Sequence, residues 1–217
     1  MALDPARKRG RTSKISRERI LEASLYEFAD HGYEGATTAS VARRVGVTQP
    51  LIHYHFGSKE ALWRAAVELG FSRMGTVLTT VEDDMSRVGP REAIRTMARR
   101  FVHFNALNPE VGRLIIAESA VRGPRLEWMT EKHLRPLIEQ VETMFRIGRD
   151  AGIVKPLPLH SLVFAFLGAV PHFFDAAPLI DLLWQIDPSD PAQVEAHAET
   201  IVEIFTTGLL LPEKTAG

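Results

Sequence analysis

Between Thr37 and Phe56 the chain reads TTASVARRVGVTQPLIHYHF, two apolar-periodic stretches of two to three turns on either side of Gly46. Val41, Ala42 and Val45 recur at helical spacing before the glycine and Ile52 follows it. Helices this short are marginal by themselves, so they must fold against something else. Gly46 permits the tight reversal that sets one helix across the other. Thr37 or Thr38 is placed to cap the first helix and Thr48 to cap the second by accepting from an exposed amide. Pro50 falls in the first turn of the second helix, where its missing donor costs nothing. The pattern predicts a helix-turn-helix whose second helix covers roughly residues 49–55.

The flanking sequence supplies what these helices would pack on. From Ser16 to His31, Ile20, Leu21, Leu25, Phe28 and Ala29 form an apolar stripe, and Gly32 ends it. Ser58 caps a longer fourth helix with Leu62, Ala65, Ala66 and Leu69 as its buried face. Beyond it, helical patterns punctuated by Pro and Gly cover roughly 91–107, 109–121, 125–151, 160–176 and 191–210. Pro136 and Pro171 lie inside two of these and should kink them. No segment reads as a strand, so the fold class is all-α: an N-terminal helix-turn-helix domain over residues 16–63 and a larger helical domain over 64–217.

Charge divides the same way. Residues 1–64 hold 11 Lys/Arg against 7 Asp/Glu, and residues 65–217 hold 15 against 20. Arg7, Lys8, Arg9, Arg11 and Lys14 crowd into residues 1–15, which lack apolar periodicity and are expected to form a flexible basic arm. Such an arm gains from counterion release on DNA and can enter a minor groove. The absence of Cys excludes disulfides, thiolate metal sites and cysteine nucleophiles, and is compatible with a reducing cytosol. The longest apolar run, Leu162 to Phe174, is interrupted by Pro171 and His172 and is too short to span a bilayer.

Across the motif, Val41, Ala42, Val45, Val47 and Ile52 are needed inside to fix the crossing. Gln49, Pro50, Leu51, His53, Tyr54 and His55 are then left to outward or rim positions. Gln49 can pair bidentately with adenine, and Pro50 and Leu51 can meet thymine methyls. Hydroxyls of Thr37, Thr38, Thr48 and Tyr54 can bond phosphates, and Lys59 adds a cation at a helix start that already favours an anion.

The pattern GY..ATT...A..VGV.QP.I.YHF.SKEAL over about Ser16 to Trp63 resembles the DNA-binding signature of the tetracycline-repressor (TetR) family of bacterial transcriptional regulators. The resemblance implies a ligand-responsive repressor of the bacterial cytoplasm: an all-helical homodimer on palindromic operator DNA, with a C-terminal ligand-sensing domain and a dimer contact through its last two long helices. A small-molecule effector would release the DNA through movement of the fourth helix. Carried onto this chain, Thr37 and Thr38 touch the DNA backbone, Gln49, Pro50 and Tyr54 read or abut bases, and His55 and Lys59 contact phosphate. The chain departs from the pattern at His53, where relatives often have Tyr, and at Ala39, where some use Arg to read a base.

The C-terminal half offers weaker signals. Phe101, His103, Phe104, Trp128, Phe145, Phe164, His172 and Phe173 are candidate effector contacts, for an apolar or amphipathic molecule. No cofactor is expected. The competing reading is a helical enzyme or metal-dependent hydrolase using His172, Asp175, Asp181 and His197. Their spacing matches no metal-ligand motif, and the chain has no phosphate-binding glycine loop, nucleophile elbow or zincin pattern. A dimerising interaction protein without DNA affinity is a third reading.

Overall fold

Gly32 and Gly46 make the first two corners of the chain, with φ of 65° and 71°, a region closed to most side chains. In this computed structural model residues 5–78 and 81–212 are described, with side chains over 17–77, at Asp84 and over 86–212. The helices are α1 (Pro5–Gly35), α2 (Thr38–Val45), α3 (Gln49–Phe56), α4 (Lys59–Leu78), α5 (Val81–Val88), α6 (Pro90–Leu107), α7 (Pro109–Ser119), α8 (Pro124–Met129), a π turn (Thr130–Leu134), α9 (Arg135–Asp150), α10 (Leu159–Asp175), α11 (Ala177–Trp184) and α12 (Pro191–Leu209). The one strand-like pairing among the described residues is an isolated antiparallel bridge between Val154 and Leu210.

The start of α1 differs from expectation. Its backbone is helical from Pro5, so Arg7, Lys8, Arg9, Arg11 and Lys14 continue the helix where a flexible arm was expected over 1–15. Once the apolar stripe from Ile20 has nucleated a helix, each further residue adds a hydrogen bond at small cost, and nothing between Pro5 and Ser16 breaks it. Residues 1–4 of that stretch lie outside the described residues.

The chain forms two compact units. The first comprises Met1–Ser72 with Arg113–Leu126, and the second Arg73–Gly112 with Glu127–Gly217. The boundaries therefore fall inside α4, α7 and α8, and Arg113–Leu126 joins the first unit, where the sequence predicts that everything after residue 63 belongs to the second. In the first unit Ile20, Leu25 and Phe28 of α1, Val41 and Ala42 of α2, Ile52 of α3, and Leu62, Trp63 and Ala66 of α4 are buried. Each large side chain among them is worth about 1.5–3 kcal/mol of burial.

In the second unit α6 packs against α5, α10 and α12. Val102, Val170, Phe174, Val194, Ala198 and Ile201 make one apolar cluster, and Ile94, Met144, Val154, Leu209 and Leu210 make another. Pro136 has no N–H to give the carbonyl four residues back, and the ladder shifts there: the Arg135 amide bonds the Thr130 carbonyl, producing the π turn between α8 and α9. One continuous helix over 125–151 was expected, and the structure divides it here. The helices α5 and α11 were not expected. Both are eight residues long, and α11 shows outward Leu179, Leu182, Leu183 and Trp184, which masks any two-sided periodicity. No single described helix is long and apolar enough to cross a membrane, though the bent pair of α10 and α11 meets the length and composition test together.

The turn after α9 closes on the end of α12. The Lys155 amide donates to the Leu209 carbonyl at 2.9 Å and the Leu211 amide to Ile153 at 2.8 Å. The Lys155 ammonium donates to the carbonyls of Thr207 and Gly208 at 3.1 and 2.9 Å, satisfying groups the helix end leaves open. Gly148 makes this closure possible, because a Cβ there would stand 2.6 Å from a methyl of the buried Val154. Gly148→Ala is expected to destabilise the protein by about 1–3 kcal/mol through that overlap, despite the better helix propensity of Ala. Urea unfolding checks this; an unchanged or raised midpoint would show that the turn has room to spare.

Candidate nucleic-acid interface

The motif's second helix is held from below and open above. Ile52 is 1% exposed, beneath α3, while Thr48, Gln49, Pro50, His53 and Tyr54 are exposed and Leu51 and His55 half-buried. Positions 49, 50, 53 and 54 share one helical face. Tyr54 is 82% exposed, a large aromatic presented to solvent at one edge of that face. Val45 and Val47, expected inside, are half-buried at the turn.

The helix ends are set by caps the sequence reading located in part. Thr37 caps α2: the Ser40 amide donates to its hydroxyl at 2.9 Å, and the Ser40 hydroxyl accepts from the Thr37 amide at 3.0 Å, a reciprocal capping box. Ser40 was missed, because the usual partner at that position is Glu or Gln. Thr48 occupies the N-cap position of α3 but makes no side-chain cap bond, contrary to expectation, so its hydroxyl is not committed to the helix. Ser58 caps α4 as expected, accepting from the Ala61 amide at 3.0 Å.

Two candidates stand differently from their expected roles. Thr38 is buried, and its hydroxyl accepts from the Gln49 side-chain amide at 3.1 Å. It therefore steers Gln49 from beneath and does not face outward with Thr37. Lys59 is half-buried: its ammonium donates to the Glu34 carbonyl at 3.3 Å and lies 4.6 Å from the centre of the Tyr33 ring. The Gln49 amide also reaches the His53 ring at 3.5 Å, and His53 reaches the Gly57 carbonyl at 3.4 Å, so the imidazole links both ends of α3. Arg44, on α2, pairs with the buried Glu27 at 3.3 Å and with Asp30 at 3.5 Å, tying α2 to α1.

The candidate effector residues are not brought together. Phe101 and Phe104 stack at 6.5 Å between centroids, and Phe101 meets Phe166 at 5.3 Å. Phe173 belongs to the same core, stacked on His197 at 4.1 Å. His103 instead pairs with Glu195 at 3.2 Å, beside Arg99, which pairs with the same carboxylate. Phe145 lines a groove of about 390 Å³ between α9 and the following turn, with Leu157, Leu159 and Leu162 as its other apolar walls and Arg146, Arg149 and Lys155 among its charged ones. Trp128 sits at the π turn, 5.3 Å from the His133 ring. Phe164 is 74% exposed and His172 is exposed, both turned away from the core. Helical periodicity shows which residues share a face but not which face meets solvent when both sides are apolar, as on α10.

His197 was weighed only as a metal ligand, and it is the polar group of the aromatic core. Its Nε2 is buried without a hydrogen-bond partner, and burial pushes its pKa down while a hydrogen bond with the Val170 backbone works against that shift. Among the described residues no three His, Asp or Glu side chains are grouped to hold a metal ion.

Comparison with known proteins agrees with this geometry. Residues 20–66 match the model for bacterial regulatory proteins of the tetR family, and residues 90–205 match the model for a tetracyclin repressor-like C-terminal domain. The chain is 24% identical to the HTH-type transcriptional regulator RutR of Escherichia coli over 202 residues, 93% of this chain and 94% of that one. It is 39% identical to the HTH-type transcriptional repressor AcnR of Corynebacterium efficiens over 137 residues, covering 63% of this chain and 68% of the relative. Its fold is similar to that of the ketosteroid transcriptional regulator KstR2 of Mycobacterium tuberculosis, with TM-score 0.70, 16% identity and coverage of 91% and 96% of the two chains. A helix-turn-helix presenting one open face and a separate helical unit, both matched by their family models, place this chain in the TetR family of transcriptional regulators, which are not enzymes.

Proposed function

We propose that the protein is a ligand-responsive repressor that binds a palindromic operator as a homodimer through α3. The observation that carries this reading is the outward face of α3, with Gln49, Pro50, His53 and Tyr54 exposed over a buried Ile52. A helix presented in this way enters a major groove with its first turn against base edges. Gln49, braced by Thr38, reads a base; Pro50 and Leu51 abut thymine methyls; Thr37, Thr48, Tyr54, His55 and Lys59 contact the sugar-phosphate backbone. The AcnR relative is a repressor, which supports the direction of control.

Two α3 helices must stand about 34–36 Å apart to reach successive grooves, so dimer geometry decides DNA binding. The dimer forms through α10 and α12. The outward Phe164 on α10 and Ile204 on α12 support this, since large apolar side chains at such exposure call for a covering surface. An apolar or amphipathic effector binds the second unit and favours a spacing that no longer fits DNA. The aromatic core around Phe101, Phe173 and His197 and the groove at Phe145 are its two candidate seats.

Two variants test the reading, and a third measurement tests the setting of His197. Duplexes selected from a random library by the wild-type protein give the operator for anisotropy titrations. On it, Gln49→Ala is expected to cost about 1–3 kcal/mol and to relax preference at one base pair. Lys59→Ala should weaken all sequences alike and lower the salt slope by about 1. Equal losses on operator and random DNA for Gln49→Ala would remove its base-reading role. The third concerns His197. Because its pKa is lowered in the folded protein, the unfolded chain takes up the proton first, so its neutral form supports stability above the ordinary value of 6.5 and that support falls away below it. Urea midpoints should drop between pH 7.5 and 5.5 and drop less in His197→Gln; parallel curves would show that His197 is not desolvated.

A further inference from the structure

The stretch Arg113–Leu126 brings two cations to the end of α1. Arg113 pairs with Asp30 at 3.3 Å. Arg125 pairs with Glu118 at 3.1 Å and with Glu34 at 3.6 Å, and its guanidinium carbon lies 3.8 Å from the centre of the Tyr33 ring. Lys59 stands over that same ring and donates to the Glu34 carbonyl. Residues 33 and 34 therefore serve two cations at once, one at the start of α4 and one from the stretch that α7 delivers. All of these groups lie in the first unit.

The two acids that hold Arg125 are unlike. The Glu118 side chain is 10% exposed and needs its partner, because a poorly solvated carboxylate left alone is costly. The Glu34 side chain is 85% exposed and free to exchange one cation for another. Were Arg125 absent, the other cation already bonded to residue 34 would be Lys59. A carboxylate on that ammonium competes directly with a DNA phosphate.

We propose that Arg125 is a positioning residue for DNA binding: by holding the Glu34 carboxylate and the Tyr33 ring face, it keeps the Lys59 ammonium available to a phosphate. This rests on the reading of Lys59 as a backbone contact. It gives the Arg113–Leu126 stretch a part in DNA affinity although none of it belongs to the helix-turn-helix. The stretch continues α7, whose opposite end is closely bound within the second unit: the fully buried Glu110 pairs with Arg73 at 3.7 Å, and a Cβ on Gly112 would meet the ring of Pro171 at 3.3 Å.

The test uses the full-length protein and the selected duplex in anisotropy titrations at several salt concentrations, with thermal melts to verify folding. Arg125→Met is expected to lose about threefold or more in affinity and to lower the salt slope by about 1, as Lys59→Ala does. Adding Glu34→Gln should restore both, since the competing charge is gone, and Arg125→Met should cost nothing further in the Lys59→Ala background. If Arg125→Met fails to fold, Arg125→Lys takes its place: it keeps the charge but loses the planar stack and fork, and its smaller loss should also be rescued by Glu34→Gln. Wild-type affinity in the Arg125 variants, or a loss that Glu34→Gln leaves unchanged and that adds in full to Lys59→Ala, would overturn the proposal by making Arg125 a structural residue only. Absence of sequence-preferring binding by the wild type would overturn the reading of α3 and this inference with it. Specific wild-type binding with an inert Arg125 would overturn this inference alone.

Discussion

The burial of Ile52 is the contact on which the rest of the interface depends. An eight-residue helix has too few internal hydrogen bonds to offset its nucleation, so α3 exists because Ile52 on its underside is buried and the helix packs on α2. That anchoring is what lets the upper face be occupied by residues that add nothing to the core: a proline, an imidazole, a phenol and an amide. The Gln49–Thr38 hydrogen bond extends the same logic to one side chain. Thr38 is buried, and its hydroxyl limits where the amide of Gln49 can point before any DNA arrives. On the proposed reading of Gln49 as a base contact, less entropy is then lost on binding.

Much of this was legible in the sequence because it rests on local chemistry. Gly32 and Gly46 could be read as corners, Ser58 as a cap and Val41, Ala42 and Ile52 as inside, since period and backbone conformation are written within a few residues of each other. The reading failed where a second element decides. Thr38 is buried and its hydroxyl meets Gln49 of the next helix, and the hydroxyl of Thr48 makes no cap bond although its residue type and position both favour one. The basic stretch before Ser16 is helical because a neighbouring helix propagates into it, a cooperative effect that its composition does not reveal.

The second unit was legible as helices and poorly legible as a site. Helical spacing in α10 is apolar on two sides, so Phe164 and Phe173 looked equivalent, and one faces out while the other stacks on His197. His197 itself stood out only as a possible metal ligand. Its actual setting, an imidazole between Phe173 and Phe174 with one nitrogen unpartnered, depends on α10 and α12 meeting, which no single stretch of sequence records. Similarly, Pro136 announced a break, but a π turn in place of a kink follows from which carbonyl finds the displaced amide.

The closure of the α9–α10 turn over the end of α12 has a further consequence for motion. Helix ends ordinarily fray one residue at a time, each amide exchanging with solvent on its own schedule. Here the last carbonyls of α12 are held by the Lys155 backbone and ammonium, and Leu211 is held in turn by Ile153. The end of α12 cannot loosen without releasing the turn some fifty residues earlier in the chain, and the turn cannot shift without uncovering Val154 against Gly148. The amides of residues 153–155 and 210–211 should therefore open in one concerted step, making this corner a single unit of local unfolding assembled from two distant pieces of chain.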